Sequence, residues 1–235
     1  MNVNTSAARP HEATSLAEQA YVSILDQIML GEIPLGAPLS RRGLAGRLGM
    51  SLVPVAEALQ RLEGEGLVES RPRIGTRVCR PSVEEIRGRF EVREALEAQI
   101  ARLFAEKASQ REKDEIMKAA EAVDQMYDQC FSDRAGDRGY ILGVHRLHSD
   151  LHTRIAQCTG CQPLCRAIER NHILMFNWLF DTGTLRSTAP WALHADLVRE
   201  LNEGDPDRAD RAMREHVRSG LENVLAHVRQ GVGPV

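Results

Sequence analysis

A chain of 235 residues, 43% hydrophobic and only 4% aromatic, is long enough to bury one large core or two modest ones. Glycine and proline together make 28 residues, too few for a collagen-like or low-complexity chain, and no apolar run approaches the roughly 18–20 residues of a membrane span. The formal net charge of −3 conceals an asymmetry: residues 40–80 hold eight arginines against four glutamates, so a surplus of four positive charges sits on a body with a surplus of seven negative ones. Such a block fits either a nucleic-acid contact or an ordinary charged surface.

Residues 1–13 lack the basic start and apolar core of a secretory signal and read as a disordered arm. Five cysteines, an odd number, argue against a disulfide framework, and the expected compartment is the cytoplasm. Ser15 and Glu18 predict a capping box ahead of an apolar series at Ala20, Ile24, Ile28 and Leu30, with Gly31 as the stop. Ser40 caps a short second helix with Leu44, Ala45 and Leu48 inside and Gly49 at its end. Ser51 opens a third, with Val55, Ala58, Leu59 and Leu62 on one face and Gly64 and Gly66 past its end. Only Met50 separates Gly49 from Ser51, so the second and third helices form a helix-turn-helix with the later one as reader. Two β-prone runs around Arg71-Pro72-Arg73-Ile74-Gly75 predict a hairpin wing, and Arg80-Pro81 a linker.

From Ser82 onward the periodicity is helical throughout. Ser82 with Glu85 and Ser109 with Glu112 form two further capping boxes, the second opening a helix to about Phe131. Helices follow over about Asp137–Thr159, Gln162–Asp181 and Pro190–Asn202, and a last one begins at Asp205-Pro206, an N-cap with proline at the first helical position. The fold class is therefore mainly α: a winged helix-turn-helix with a small β-hairpin wing over 14–80, then an all-α antiparallel bundle of six helices over 81–235.

The head resembles the winged-helix domain of the GntR family of transcription regulators. The resemblance rests on Leu30-Gly31-Glu32-Ile33, Leu44-Ala45-Gly46-Arg47-Leu48-Gly49-Met50-Ser51, Pro54-Val55, Glu57-Ala58-Leu59, Arg61-Leu62-Glu63, Glu65-Gly66-Leu67-Val68 and Gly75-Thr76, across about residues 16–80. The bundle is similar to the FCD effector domain of that family's FadR branch, through Val92-Arg93, Leu96-Glu97 and a set of histidines. The expected DNA contacts, from their place on the helix-turn-helix and wing, are Arg41, Arg42, Arg47, Ser51, Leu52, Pro54, Ala56, Arg73, Gly75 and Thr76. The resemblance departs where the family usually carries arginine: Leu52 and Ala56 hold those two positions, which favours apolar contact with thymine methyls over hydrogen-bonded readout.

Four histidines carry the strongest chemical signal. His148 and His152, four apart, share a helix face. His194 lies in line with Leu197, Val198 and Leu201, and His216 lies within the stripe Met213, Val217, Gly220 and Leu221. Each alone could be a satisfied core histidine; together they suit one ion, since burying four unpaired imidazoles is costly. The FCD pattern is similar, with His148 in its aspartate position. Four imidazoles favour Zn²⁺, with Ni²⁺ as the alternative, and without a carboxylate ligand the ion would keep its full charge.

Arg93 falls in the stripe Ile86, Phe90, Ile100 and Leu103 and needs an anionic partner, either Glu97 one turn later or, as the FCD resemblance implies, a ligand carboxylate. Cys158, Cys161 and Cys165 have neither iron–sulfur nor paired zinc-site spacing and read as small buried residues. Phe176, Trp178, Phe180 and Trp191 read as core or dimer packing. No phosphate loop, nucleophile elbow or dinucleotide fingerprint occurs. The expectation is a cytoplasmic, non-enzymatic, homodimeric repressor that binds palindromic double-stranded operator DNA and senses a small carboxylate, with no membrane association. Rival readings are a zinc-stabilised protein-interaction module without DNA binding, or a metal-dependent enzyme with Asp150 as the nearest base.

Overall fold

A computed structural model describes residues 15–71, 73, 75–132, 137–170 and 193–231. The expected N-terminal arm and the segment holding Phe176, Trp178, Phe180 and Trp191 lie outside the described residues. The first helix, α1 (Leu16–Met29), starts where the Ser15 hydroxyl accepts the Glu18 N–H at 3.1 Å. Glu18 does not complete the expected capping box. Its carboxylate pairs instead with Arg61 of α3 at 2.5 Å, tying α1 to the reader helix.

Helix α2 (Arg41–Leu48) is capped by Ser40, which accepts the Gly43 N–H at 3.2 Å, and ends on Gly49 at φ 62°, a left-handed conformation glycine adopts without steric cost. Helix α3 (Leu52–Gly64) follows from Ser51. Arg61 lies 3.6 Å above the Tyr21 ring, and the Tyr21 hydroxyl donates to Glu65 at 2.7 Å, so α3 is clamped to α1 by stacking and hydrogen bonding at once. Beneath these contacts Ile24, Leu44, Val55, Leu62, Leu67 and Val78 form the core of the head.

The wing has one strand more than the sequence suggested. Strands β2 (Val68–Arg71) and β3 (Gly75–Val78) pair antiparallel, and β1 (Pro38–Leu39) adds to the far edge of β3, giving the order β1-β3-β2. Leu39 stands opposite Thr76, and Val68 opposite Val78. A strand of two residues has no alternation to read. At the hairpin tip Arg73 has φ 66°, uncommon for a residue with a Cβ.

Six helical segments follow among the described residues: α4 (Val83–Lys107), α5 (Gln110–Phe131), α6 (Arg138–Cys158), α7 over 162–170, α8 (His194–Asn202) and α9 (Pro206–Gly231). The capping boxes of α4 and α5 are both present. Asp205 caps α9, accepting from the N–H groups of Asp207 and Arg208 at 2.9 and 3.1 Å. Helices α4 and α9 run antiparallel: Glu94 pairs with Arg214 and Arg218 at 3.0 and 2.8 Å, while Arg102, further along α4, pairs with Asp207, further back on α9. The bundle core includes Ile100, Phe104, Ile116, Leu151, Ile155, Leu201 and Met213. Head and bundle meet through Met29 packed with Leu142 and an ion pair between Asp26 of α1 and Arg146 of α6. No helix among the described residues is long and apolar enough to cross a membrane.

Candidate functional site

The bundle brings the four histidines together from three helices. His148 and His152 come from successive turns of α6, His194 opens α8 and His216 sits midway along α9. One nitrogen from each lies within 4.8 Å of all the others. Ring centroids stand 4.7 Å apart for His148 with His152 and with His194, 5.0 Å for His194 with His216, and 5.3 Å for His152 with His216. Among the described residues this is the one group of histidine, cysteine and acidic side chains arranged to hold an ion. The cysteines are all free, and Asp150 is exposed.

Two carboxylates that spacing alone did not assign to the ion site lie against these rings. Helix α8 begins at Leu193, which has no side chain able to cap it. Asp124 of α5 takes that role, accepting the N–H groups of His194 and Ala195 at 2.9 Å each. The same carboxylate lies 2.8 Å from His194 Nδ1, which fixes the proton there and leaves Nε2 as the lone pair for an ion. On the opposite side Glu97 Oε2 lies 2.6 Å from His152 Nδ1. An ion among these rings would thus lie one hydrogen bond from the Asp124 carboxylate, through His194, and close to Glu97, whose charge Arg93 already pairs, which corrects the expectation that no carboxylate offsets its charge.

Burial first, then His194, His152 and Arg93, hold His216 well below the ordinary histidine range, so it is neutral. Burial alone would raise Asp124, but its bonds from the His194 side chain and the two backbone N–H groups outweigh it and keep the carboxyl below the usual range. His194 Nε2 and His216 Nδ1 are buried with no hydrogen-bond partner among the described residues. Two orphaned imidazole nitrogens in a core are costly, and a cation satisfies both, so the residues fit a metal.

Arg93 occupies the same interior. It is 3% exposed and its Nε donates to Glu97, so the residue at the next turn is the partner the chain itself provides. Around the cluster Tyr127 stacks parallel to His194 with centroids 5.8 Å apart and meets His145 edge-on at 6.3 Å. His145 is fully buried, and burial pushes its pKa down to about 3. It is a fifth inward-facing histidine, and the spacing 145, 148, 152 along α6 was the signal for it.

The head presents a different surface. Arg41, Arg42 and Arg47 of α2 are exposed, as are Ser51, Leu52, Arg73 and Gly75. The Ser51 side chain makes no capping bond. Ala56 and Thr76 are half-buried, with the Thr76 hydroxyl 3.0 Å from that of Ser70. Pro54, also expected among the DNA contacts, is buried in the first turn of α3.

Comparison with known proteins agrees with this architecture. The family model of the FCD domain matches residues 89–219, and that of the bacterial regulatory proteins of the gntR family matches residues 16–78. The chain is 29% identical over 220 residues, 93% of its length and 92% of the relative's, to a probable D-xylose utilization operon transcriptional repressor of Paenarthrobacter nicotinovorans. It is 27% identical over 241 aligned residues, 90% of this chain and 86% of the other, to the transcriptional repressor NanR of Citrobacter rodentium. Among solved structures, Escherichia coli McbR/YncC shares the fold with a TM-score of 0.72 at 23% identity, covering 93% of this chain and 99% of the other. A GntR regulator from Rhodococcus sp. RHA1 does so with 0.69 at 17%, covering 89% and 97%. These families are transcription regulators and not enzymes. With a winged head, a helical domain and both family models in register along it, the chain belongs to the GntR family of bacterial regulatory proteins and carries an FCD domain.

Proposed function

We propose that this protein is a homodimeric, cytoplasmic transcriptional repressor that binds a palindromic operator through its winged head and is released by a small carboxylate sensed in the bundle. The observation that carries the reading is the histidine cluster, with two orphaned ring nitrogens and two adjacent carboxylates, in the same chain as an exposed basic helix-turn-helix. Repression is supported by relatives that are themselves repressors. His148, His152, His194 and His216 would hold a divalent ion, Zn²⁺ before Ni²⁺ because all four donors are imidazoles. When bound, the ion supplies a Lewis-acidic centre to which a carboxylate or hydroxycarboxylate can bind.

The chain's own residues do the rest. Asp124 holds the His194 ring in one tautomer. Arg93 provides a fixed positive charge, and an incoming carboxylate would share its guanidinium with Glu97. Helix α6 carries His148 and His152 from its middle onward and, in the residues just before them, Leu142 and Arg146 against α1 of the head. A ligand that moves α6 therefore acts on the head directly, as well as through the short Arg80-Pro81 linker. Ligand and operator must then change each other's affinity by one common factor.

A thermal-shift screen of small carboxylates on wild type, Arg93→Ala and metal-stripped protein, followed by operator binding with the best hit, tests the reading. The expected hit stabilises wild type most and weakens operator binding. A hit that stabilises all three proteins equally contradicts a shared pocket, and one that leaves operator affinity unchanged contradicts regulation. A zinc-stabilised interaction module without DNA binding is the second reading, favoured by the absence of arginine from the first turns of α3; retention on DNA that falls steeply with salt excludes it.

A further inference from the structure

The outward face of α3 is apolar where a reader helix meets base edges. Leu52 is 48% exposed and Val53 65% exposed, the two at the N-terminal end of the helix, from which a helix-turn-helix touches bases. Along residues 51–60 the other side chains open to solvent are Ser51, Glu57 and Gln60, with Ala56 half-buried. No arginine or lysine stands among them. Arg61, the one cation of α3, is turned back on Tyr21, Glu18 and Glu65. The usual bidentate reading of guanine O6 and N7 has no donor on this face.

Two large apolar side chains left in water on a surface helix call for a partner that buries them, and the charge around them identifies it. Arg41, Arg42 and Arg47 on α2 and Arg73 at the wing tip are all exposed on the elements that flank α3, a distribution that suits a polyanion. In the major groove the one apolar group a base offers is the C5-methyl of thymine. We infer that Leu52 and Val53 are the specificity-determining residues of this head, reading thymine methyls, while the flanking arginines hold the phosphates. The operator half-site is accordingly thymine-rich under the α3 N-terminus and has no guanine recognised from α3. The inference rests on the DNA-binding reading above and adds to it the chemistry of discrimination.

The test uses full-length protein and duplexes enriched from a random library, with deoxyuridine then replacing thymine one position at a time. Deoxyuridine keeps every hydrogen bond of thymine and removes only the methyl. At one or more positions in each half-site the substitution should weaken wild-type binding about fourfold, the worth of one buried methyl-sized group. Leu52→Ala and Val53→Ala, both at exposed positions and so expected to leave the melting temperature unchanged, should bind more weakly and lose that sensitivity. Leu52→Arg should trade it for a guanine preference at the same position. Wild-type binding that is indifferent to deoxyuridine at every thymine overturns this inference alone, as would variants whose sensitivity is undiminished. Enrichment of no sequence overturns the DNA-binding reading and the inference with it. A Leu52→Arg protein that loses self-association while its operator preference is unchanged would assign the face to a protein contact and overturn the inference as well.

Discussion

The reader helix α3 and the histidine helix α6 use opposite solutions to the same problem of carrying function on one helix. On α3 the residues assigned to recognition are exposed and make few contacts within the chain, so each can change without disturbing the fold. On α6 they are inside, where every polar atom must be matched, and His148 and His152 come with Glu97, Asp124 and Tyr127 as a connected set. The difference teaches that operator choice can drift by single substitutions in the head, whereas the bundle site changes only as a group. The replacement of the family's arginines by Leu52 and Ala56 above an intact apolar frame is the kind of change the exposed helix allows.

The sharpest way to break this contrast is at Arg93 and Glu97, both buried and ion-paired. Glu97→Ala should cost about 3–5 kcal/mol in denaturant unfolding, because it leaves a buried guanidinium without its carboxylate. A loss below about 1 kcal/mol would mean that the interior is far wetter than its burial indicates. Asp124→Ala comes next, at about 2–3 kcal/mol, since it removes the cap of α8 and the partner of His194 Nδ1 together. The same variant should weaken Zn²⁺ binding about 10–100-fold in a competition titration. Asp124→Asn, whose single carboxamide oxygen can accept from only one of the two N–H groups, keeps part of the cap while removing the charge beside the His194 ring.

A further effect should appear in the pH dependence. His145 is buried with a pKa near 3, against about 6.5 for an exposed histidine. Below pH 6.5 the unfolded chain therefore binds a proton that the folded protein refuses, so this contribution to stability is complete above 6.5 and declines as the pH falls towards 3. Within that window the group adds a slope of about 1.4 kcal/mol per pH unit, and His145→Leu should remove it. The smallest stability effect belongs to the head. Arg42→Ala should change stability by less than about 0.5 kcal/mol, yet reduce the salt dependence of DNA binding by about one unit of slope.

Much of the fold was legible because its punctuation is local. Ser82 with Glu85, Ser109 with Glu112 and Asp205 with Pro206 announce their helices within four residues, and all three begin where expected. The Ser15 box was half right because Glu18 found a better partner 43 residues away, beyond the reach of spacing arguments. The histidines were legible through periodicity on their own helices. Asp124 was not assigned, since its tie to His194 spans 70 residues. Its signal was an acid on the flank of the apolar series Ala120, Val123 and Tyr127, where a solvated residue has no reason to be. Glu97 was visible only as the partner of Arg93; its second contact, with His152, depends on how α4 packs against α6.

The central claim is that the four histidines form one metal site, and metal content tests it most directly. Elemental analysis of full-length protein, purified without an affinity tag that binds metals, should find about one zinc or nickel per chain, absent from the His194→Ala, His216→Ala double variant. Wild-type protein that carries no transition metal, takes up none when Zn²⁺ is supplied, and melts at the same temperature with and without EDTA would contradict it.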